Sequence, residues 1–276
     1  MKNLDVSNPK IANPRSFGSL SSLISLMSGA LGLVLVMGAT PGMHLENNPL
    51  AIFCCLIILL GAMYFLIPRV MSWDWQSRYF GATSLHLAAL TFLCIIPLLC
   101  LVFYSRVPLA FRLLLLGASV IVHAWWAHRF VLLYREIFGE KRLFSLMYYE
   151  VGENTYYMQN VDKYLIENIF KFRQMPADRY LIGFVAIGIV MLFFAERVNS
   201  LTGLPFAHSF LAVSTVPVSL MLVGLVTRGW LIFYLYPAKI YKLNGRKVYV
   251  DMVDFPDDFK KTMSDWKRSF KNDKLD

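Results

Sequence analysis

Long apolar runs separated by short polar loops set the pattern of this chain. Six runs stand out: Leu20–Ala39, Leu50–Ile67, Phe80–Tyr104, Leu109–Tyr134, Tyr180–Ala195 and Leu204–Tyr236. A helix of about 20 apolar residues covers the roughly 30 Å of a bilayer's hydrocarbon core. The pattern therefore predicts an all-α polytopic membrane protein with six transmembrane helices and small cytoplasmic elements. It divides the chain into an N-tail (1–18), a membrane domain (19–236) that includes a long loop (135–179), and a C-tail (237–276). The fifth run is short and is expected to continue into Glu196–Val198. The sixth, about 50 Å long as a helix, is expected to tilt, or to break at Arg228–Trp230 and lie along the interface. The first run is longer than a signal peptide's core, and "MGATPG" is a poor cleavage site, so it reads as an uncleaved anchor.

Charge gives the threading. Lys and Arg number 3 in the N-tail, 2 in Pro68–Tyr79, 7 in Arg135–Arg179 and 10 from Lys239 onward, against none, one and one in the alternate loops. Cytoplasmic loops hold the positive excess, so both termini are expected in the cytoplasm, and a bacterial inner membrane is the expected location. All 6 tryptophans and all but one of the 14 tyrosines, Tyr104 being the exception, fall on that side. The outer loops are too short to form a domain. With 57% hydrophobic and 16% charged residues and a mean hydropathy of +0.52, the net charge of +9 is accounted for by topology and anionic lipid, and nucleic-acid binding is not indicated.

Two cytoplasmic segments are long enough to fold. In the long loop, Asn160 is positioned to cap a helix with Val161, Leu165, Ile169 and Phe172 along one face. The tyrosine-rich "SLMYYEVGENTYYMQ" before it has a turn at Gly152 and no helical period. In the C-tail, the Asn-Gly of "IYKLNGRKVYVDM" predicts a β-hairpin. Beyond Pro256 comes an amphipathic helix with apolar Phe259, Met263, Trp266 and Phe270, and with Lys260, Lys261, Lys267 and Arg268 largely around the rest. Such a helix suits the anionic inner leaflet, a groove on another membrane or cytoplasmic subunit, or the protein's own loop.

Polar residues inside the spans are the remaining candidates. Gly18, Ser21, Ser25, Ser28, Gly32 and Ala39 form a small-residue seam along the first span, which lets another helix approach closely. That helix could belong to this chain or to a partner. The stretch "HAWWAHRF" places His123 and His128 in the fourth span, and a hairpin of the third and fourth spans would bring His86 level with them. An intramembrane imidazole pair could bind a metal or relay a proton, whereas His128 and Arg129, near the span's end beside Trp125 and Trp126, suit interface anchoring. Arg112 and Glu196 could pair at the outer rim. Pro97 and Pro217 predict kinks, with Ser214 and Thr215 placed to satisfy freed backbone groups or to help hold a solute. Ser119 and His208 lack the surrounding motif of a serine nucleophile. The cysteines, Cys54, Cys55, Cys94 and Cys100, all lie in apolar runs and have no zinc or disulfide spacing.

No catalytic residue, metal site or cofactor is indicated. The expected function is a non-catalytic integral membrane subunit of a secretion, conjugation or immunity-type assembly. The alternatives are a transporter or channel using the kinked spans, and a membrane enzyme acting on lipid through His86, His123 and His128.

Overall fold

The structure, a computed structural model, describes residues 14–70, 76–176 and 178–251. The predicted C-terminal amphipathic helix, with Phe259, Lys260, Lys261, Met263, Trp266, Lys267, Arg268 and Phe270, lies outside the described residues, as does most of the N-tail. The chain is predominantly helical. Four helices among the described residues are long and apolar enough to cross a membrane, and a fifth is added if one sharply bent pair counts as a single span.

The first half of the chain forms α1 (Pro14–Ala39), α2 (Pro49–Val70), α3 (Gln76–Tyr104) and α4 (Leu109–Gly139); α1, α3 and α4 are three of the four, and Val216–Asn244 is the fourth. α3 is central, packing on α1 and on the later helices. Glycines set how closely α1 approaches its neighbours. A Cβ on Gly32 would lie 2.5 Å from Ile96 Cδ1 of α3, and one on Gly61 of α2 would lie 2.9 Å from Ser25 Cβ. The loop between α1 and α2 is tied down by buried Asn48, which donates to Thr40 Oγ1 at 2.9 Å and accepts from Tyr104 OH at 2.6 Å.

The fifth apolar run forms α7 (Asp178–Phe193) but does not continue straight into Glu196–Val198. The chain turns by 89° at Phe194 into α8 (Ala195–Thr202). The sequence changes character at that point, from the apolar run of α7 to the polar "AERVNS". The sixth run breaks at Thr215, between α9 (Phe206–Ser214) and α10 (Val216–Trp230), and not at Arg228–Trp230. It then widens into a π-helical turn, Leu231–Leu235, and continues as α11 (Tyr236–Asn244).

A small lobe sits at one end of the bundle. After α5 (Lys141–Met147), the tyrosine-rich stretch forms an antiparallel hairpin of β1 (Tyr148–Val151) and β2 (Asn154–Met158), with Gly152 at φ +57° in the turn. α6 (Gln159–Tyr164) follows, with a π-helical turn at Leu165–Ile169. Its N-cap is Met158, and Asn160 lies inside the helix. β3 (Val248–Asp251) then pairs in parallel with β2. The hairpin expected in the C-tail is therefore absent from the described residues. "IYKLN" is helical and Gly245, at φ +68°, terminates α11, because an Asn-Gly pair ends a helix as readily as it turns a hairpin. The lobe and the adjoining ends of α4 and α10 share one apolar core that includes Phe130, Ile137, Met147, Leu165, Leu231 and Val250.

Candidate functional site

The polar groups that meet most densely lie where the lobe joins the bundle. The last turns of α4 supply Tyr134, the end of β2 supplies Tyr157, α6 supplies Asp162 and the last turn of α10 supplies Arg228. Asp162 is fully buried. Its Oδ1 accepts from Tyr134 OH at 2.8 Å, and its Oδ2 accepts from Tyr157 OH at 2.8 Å and from Arg228 Nη2 and Nε at 2.7 and 3.0 Å. A buried carboxylate is tolerated when its charge is paired and its oxygens are hydrogen-bonded, and both oxygens of this one accept bonds while Arg228 pairs its charge. Burial, followed by the neighbouring Asp162 charge, holds the Tyr157 hydroxyl well above the ordinary tyrosine range, so Tyr157 remains a donor. Buried and engaged by donors from α4, β2 and α10, Asp162 ties the lobe to the bundle.

Two features extend the cluster outward. Arg228 Nη1 donates to Gln174 Oε1 at 3.3 Å. Gln174 in turn lines an open cavity of about 500 Å³ together with Glu167, Phe172, Arg173, Met175, Pro176, Met221 and Leu225. Arg129 lies against the rings of Trp126 at 4.8 Å and Phe172 at 5.0 Å, which ties α4 to the cavity wall through cation–π contacts.

A second tie involves the backbone. In the π-helical turn Tyr236 N–H bonds to Leu231 O, so the same register would give Ile232 O to residue 237. That residue is Pro237, which has no N–H. Tyr148 OH from β1 donates to Ile232 O at 2.6 Å instead.

The histidines are distributed differently from expectation. His86 is not joined to His123 or His128. Its Nδ1 bonds Ser25 Oγ of α1, so it faces the first helix and not the fourth. The Nδ1 of His123 lies 2.7 Å from Ser119 O, which can only accept, and its Nε2 lies 2.8 Å from Ser219 Oγ of α10. His208 donates from Nε2 to Leu35 O at 2.7 Å, and His128 is exposed. The expected pairing fails because His86 is on the face of α3 that meets α1, while α4 packs more against α10 than against α3. Three histidines thus each bridge a pair of helices, and no cluster of metal-ligating side chains occurs among the described residues.

The seam residues Ser25, Ser28, Gly32 and Ala39 are buried, and Ser21 is half-buried. α1 packs against α2 and α3 of its own chain. Buried Pro217 is the second residue of α10, two residues after the break at Thr215, whose Oγ1 lies 2.6 Å from Cys94 O of α3. Arg112 donates to Val102 O at 3.0 Å and forms no ion pair with Glu196. The four cysteines are unpaired.

Asp162, Tyr134 and Tyr157 were missed in the sequence. The signal available was a lone carboxylate next to Val161 on an otherwise apolar helix face, with Arg228 as an unexplained cation in the last span. Compared with family models, curated proteins and solved structures, the chain matches none.

Proposed function

We propose that this chain is a six-span membrane protein with both termini in the cytoplasm, and that it serves as a non-catalytic subunit of a membrane-embedded assembly. The six crossings combine α1, α3, α4 and the stretch Val216–Asn244 with the shorter α2 and the bent α7–α8 pair. The positive residues of 135–179 and of the C-tail then fall on the lobe side, as the positive-inside rule requires.

The observation that carries the subunit reading is the way the lobe is fixed. The Asp162–Arg228–Tyr134–Tyr157 cluster and the Tyr148–Ile232 bond make the lobe a rigid extension of the last span, which suits a docking platform better than a catalytic cleft. The partners are other membrane or cytoplasmic subunits, contacted by the lobe or by the basic C-terminal helix.

The test is copurification from gently solubilised membranes, with mass spectrometry of the full chain and of a chain ending at Asp251, which keeps β3. A stoichiometric partner lost on truncation supports docking through the C-terminal helix. A partner retained by both assigns docking to the lobe or the spans. No partner in either sample refutes the subunit reading.

Transport, the second reading, has less support. At the break in the sixth run, Thr215 Oγ1 lies within hydrogen-bond distance of both Cys94 O and Leu211 O, so a side chain of the protein already serves the carbonyls that a solute would need. Solute flux in liposomes that falls on Pro217→Ala would revive transport. A lipid-modifying enzyme would require His86, His123 and His128 to act together, and cellular lipid composition unchanged by alanine at all three removes that reading.

A further inference from the structure

We propose that the cavity between α10 and the 167–176 segment binds one phospholipid of the cytoplasmic leaflet whose headgroup carries both a phosphate and a primary ammonium. The inference rests on the membrane reading above, but not on the subunit reading.

The lining has two parts. Met221, Leu225 and Met175 form an apolar floor, while Glu167, Arg173 and Gln174 supply polar groups. Met221, Leu225 and Arg228 are spaced i, i+4 and i+7 along α10, so they share a face. At 1.5 Å per residue, Leu225 lies roughly 4.5 Å and Met221 roughly 10 Å deeper along the helix than Arg228. Arg228 marks the headgroup level, because the stacked pair Trp230 and Tyr234, 4.3 Å apart, follows directly, and such rings favour the interface. The cavity thus runs from the headgroup zone into hydrocarbon depth. A ligand filling both parts is an amphiphile, and its apolar part is an acyl chain.

The lining charges define the headgroup. Arg173 is exposed and has no ion-pair or hydrogen-bond partner among the described residues, and the same holds for Glu167. Arg228, by contrast, is committed to Asp162 and Gln174. One free guanidinium suits a phosphate, and one free carboxylate lining the same cavity suits an ammonium with N–H donors. A quaternary ammonium has no donors for Glu167, and a glycerol headgroup leaves that carboxylate without its cation. A volume of about 500 Å³ falls within the range of small-molecule sites. It accommodates a headgroup with the upper part of one chain.

The test uses the full chain reconstituted into bilayer nanodiscs of equal parts phosphatidylethanolamine, phosphatidylglycerol and phosphatidylcholine with identical chains. Native mass spectrometry then reads the lipid retained. The expected result is one retained lipid per chain, enriched in the ethanolamine form by about two- to fivefold, the range that a partly exposed charge pair supports. Glu167→Gln brings ethanolamine and choline forms to parity while total retention persists. Arg173→Gln lowers retention of all three, and Met221→Trp, which fills the floor, removes it with the thermal midpoint kept. Millimolar phosphoethanolamine, the headgroup alone, leaves the retained lipid in place.

Equal retention of the three lipids, a preference for the glycerol form, or a preference indifferent to Glu167→Gln overturns the proposal. Displacement by phosphoethanolamine overturns the lipid source in favour of a soluble ligand. Failure of the chain to enter bilayers at all overturns the membrane reading, a result distinct from entry without selectivity.

Discussion

Replacing Asp162 with alanine removes the single acceptor on which Tyr134, Tyr157 and Arg228 converge. The loss is larger than that of one hydrogen bond, because three donors are left in a space that water barely reaches. The Arg228 side chain is only 15% exposed and that of Asp162 is 0% exposed, so little solvent can replace the carboxylate. Removing one partner of a buried ion pair costs about 3–5 kcal/mol. For a chain of this size about 1 kcal/mol moves the unfolding midpoint by about 2–4 °C. The expected fall is therefore at least about 6 °C, read by intrinsic fluorescence during heating in detergent. Removing both charges, Asp162→Ala with Arg228→Met, leaves no orphaned ion and should recover a substantial part of the loss. A fall below about 2 °C for Asp162→Ala, or additive losses in the double variant, would refute the view that the pair clamps the lobe.

Three further predictions use the same measurement. Tyr148→Phe keeps the packing but orphans Ile232 O, which Pro237 cannot satisfy. It should cost about 1–3 kcal/mol, and an unchanged midpoint would show that the carbonyl has another donor. Gly224→Ala should lower the midpoint by a cost of about 1–3 kcal/mol, since the new Cβ would lie 2.5 Å from the Phe130 ring, and a neutral result would mean that α4 yields there. Burial holds the hydroxyls of Tyr148, Tyr149 and Tyr157 above their ordinary value of 10.0. Their contribution is complete below that value and lost at higher pH, as the unfolded chain ionises first. Unfolding midpoints should therefore fall as pH rises through 10 and beyond, and a flat profile there would refute it.

The helices were legible in the sequence because their apolar runs are long and separated by polar loops. Where the runs bend was not. The 89° turn at Phe194 and the break at Thr215 depend on what each helix packs against, and Pro217 marked the second break only to within a few residues. The small-residue seam of α1 could be seen, but not which helix filled it. The lobe was harder still. Asn244–Gly245 carried the strongest hairpin signal in the chain, yet it ends a helix. The true hairpin turns at Gly152–Glu153, between strands whose tyrosines gave no clear alternation. The Asp162 cluster draws its donors from residues 134, 157 and 228, and no local spacing encodes such a meeting. The three bridging histidines were visible as polar intrusions, but their partners Ser25, Ser219 and Leu35 O follow from the packing order of the helices.

The parallel pairing of β2 with β3 also sets an order of events during synthesis. When the ribosome has made the β1–β2 hairpin and α6, the third strand is about eighty residues away, and the guanidinium that answers Asp162 has not yet been made. Both arrive only with the last two helices. Until then the nascent lobe holds an unmatched carboxylate and an open strand edge, so it cannot close ahead of the bundle. Closure of the lobe therefore reports that the final helix is in place, and a chain stalled before Arg228 keeps a recognisably unfinished surface for the cell's proteases to find.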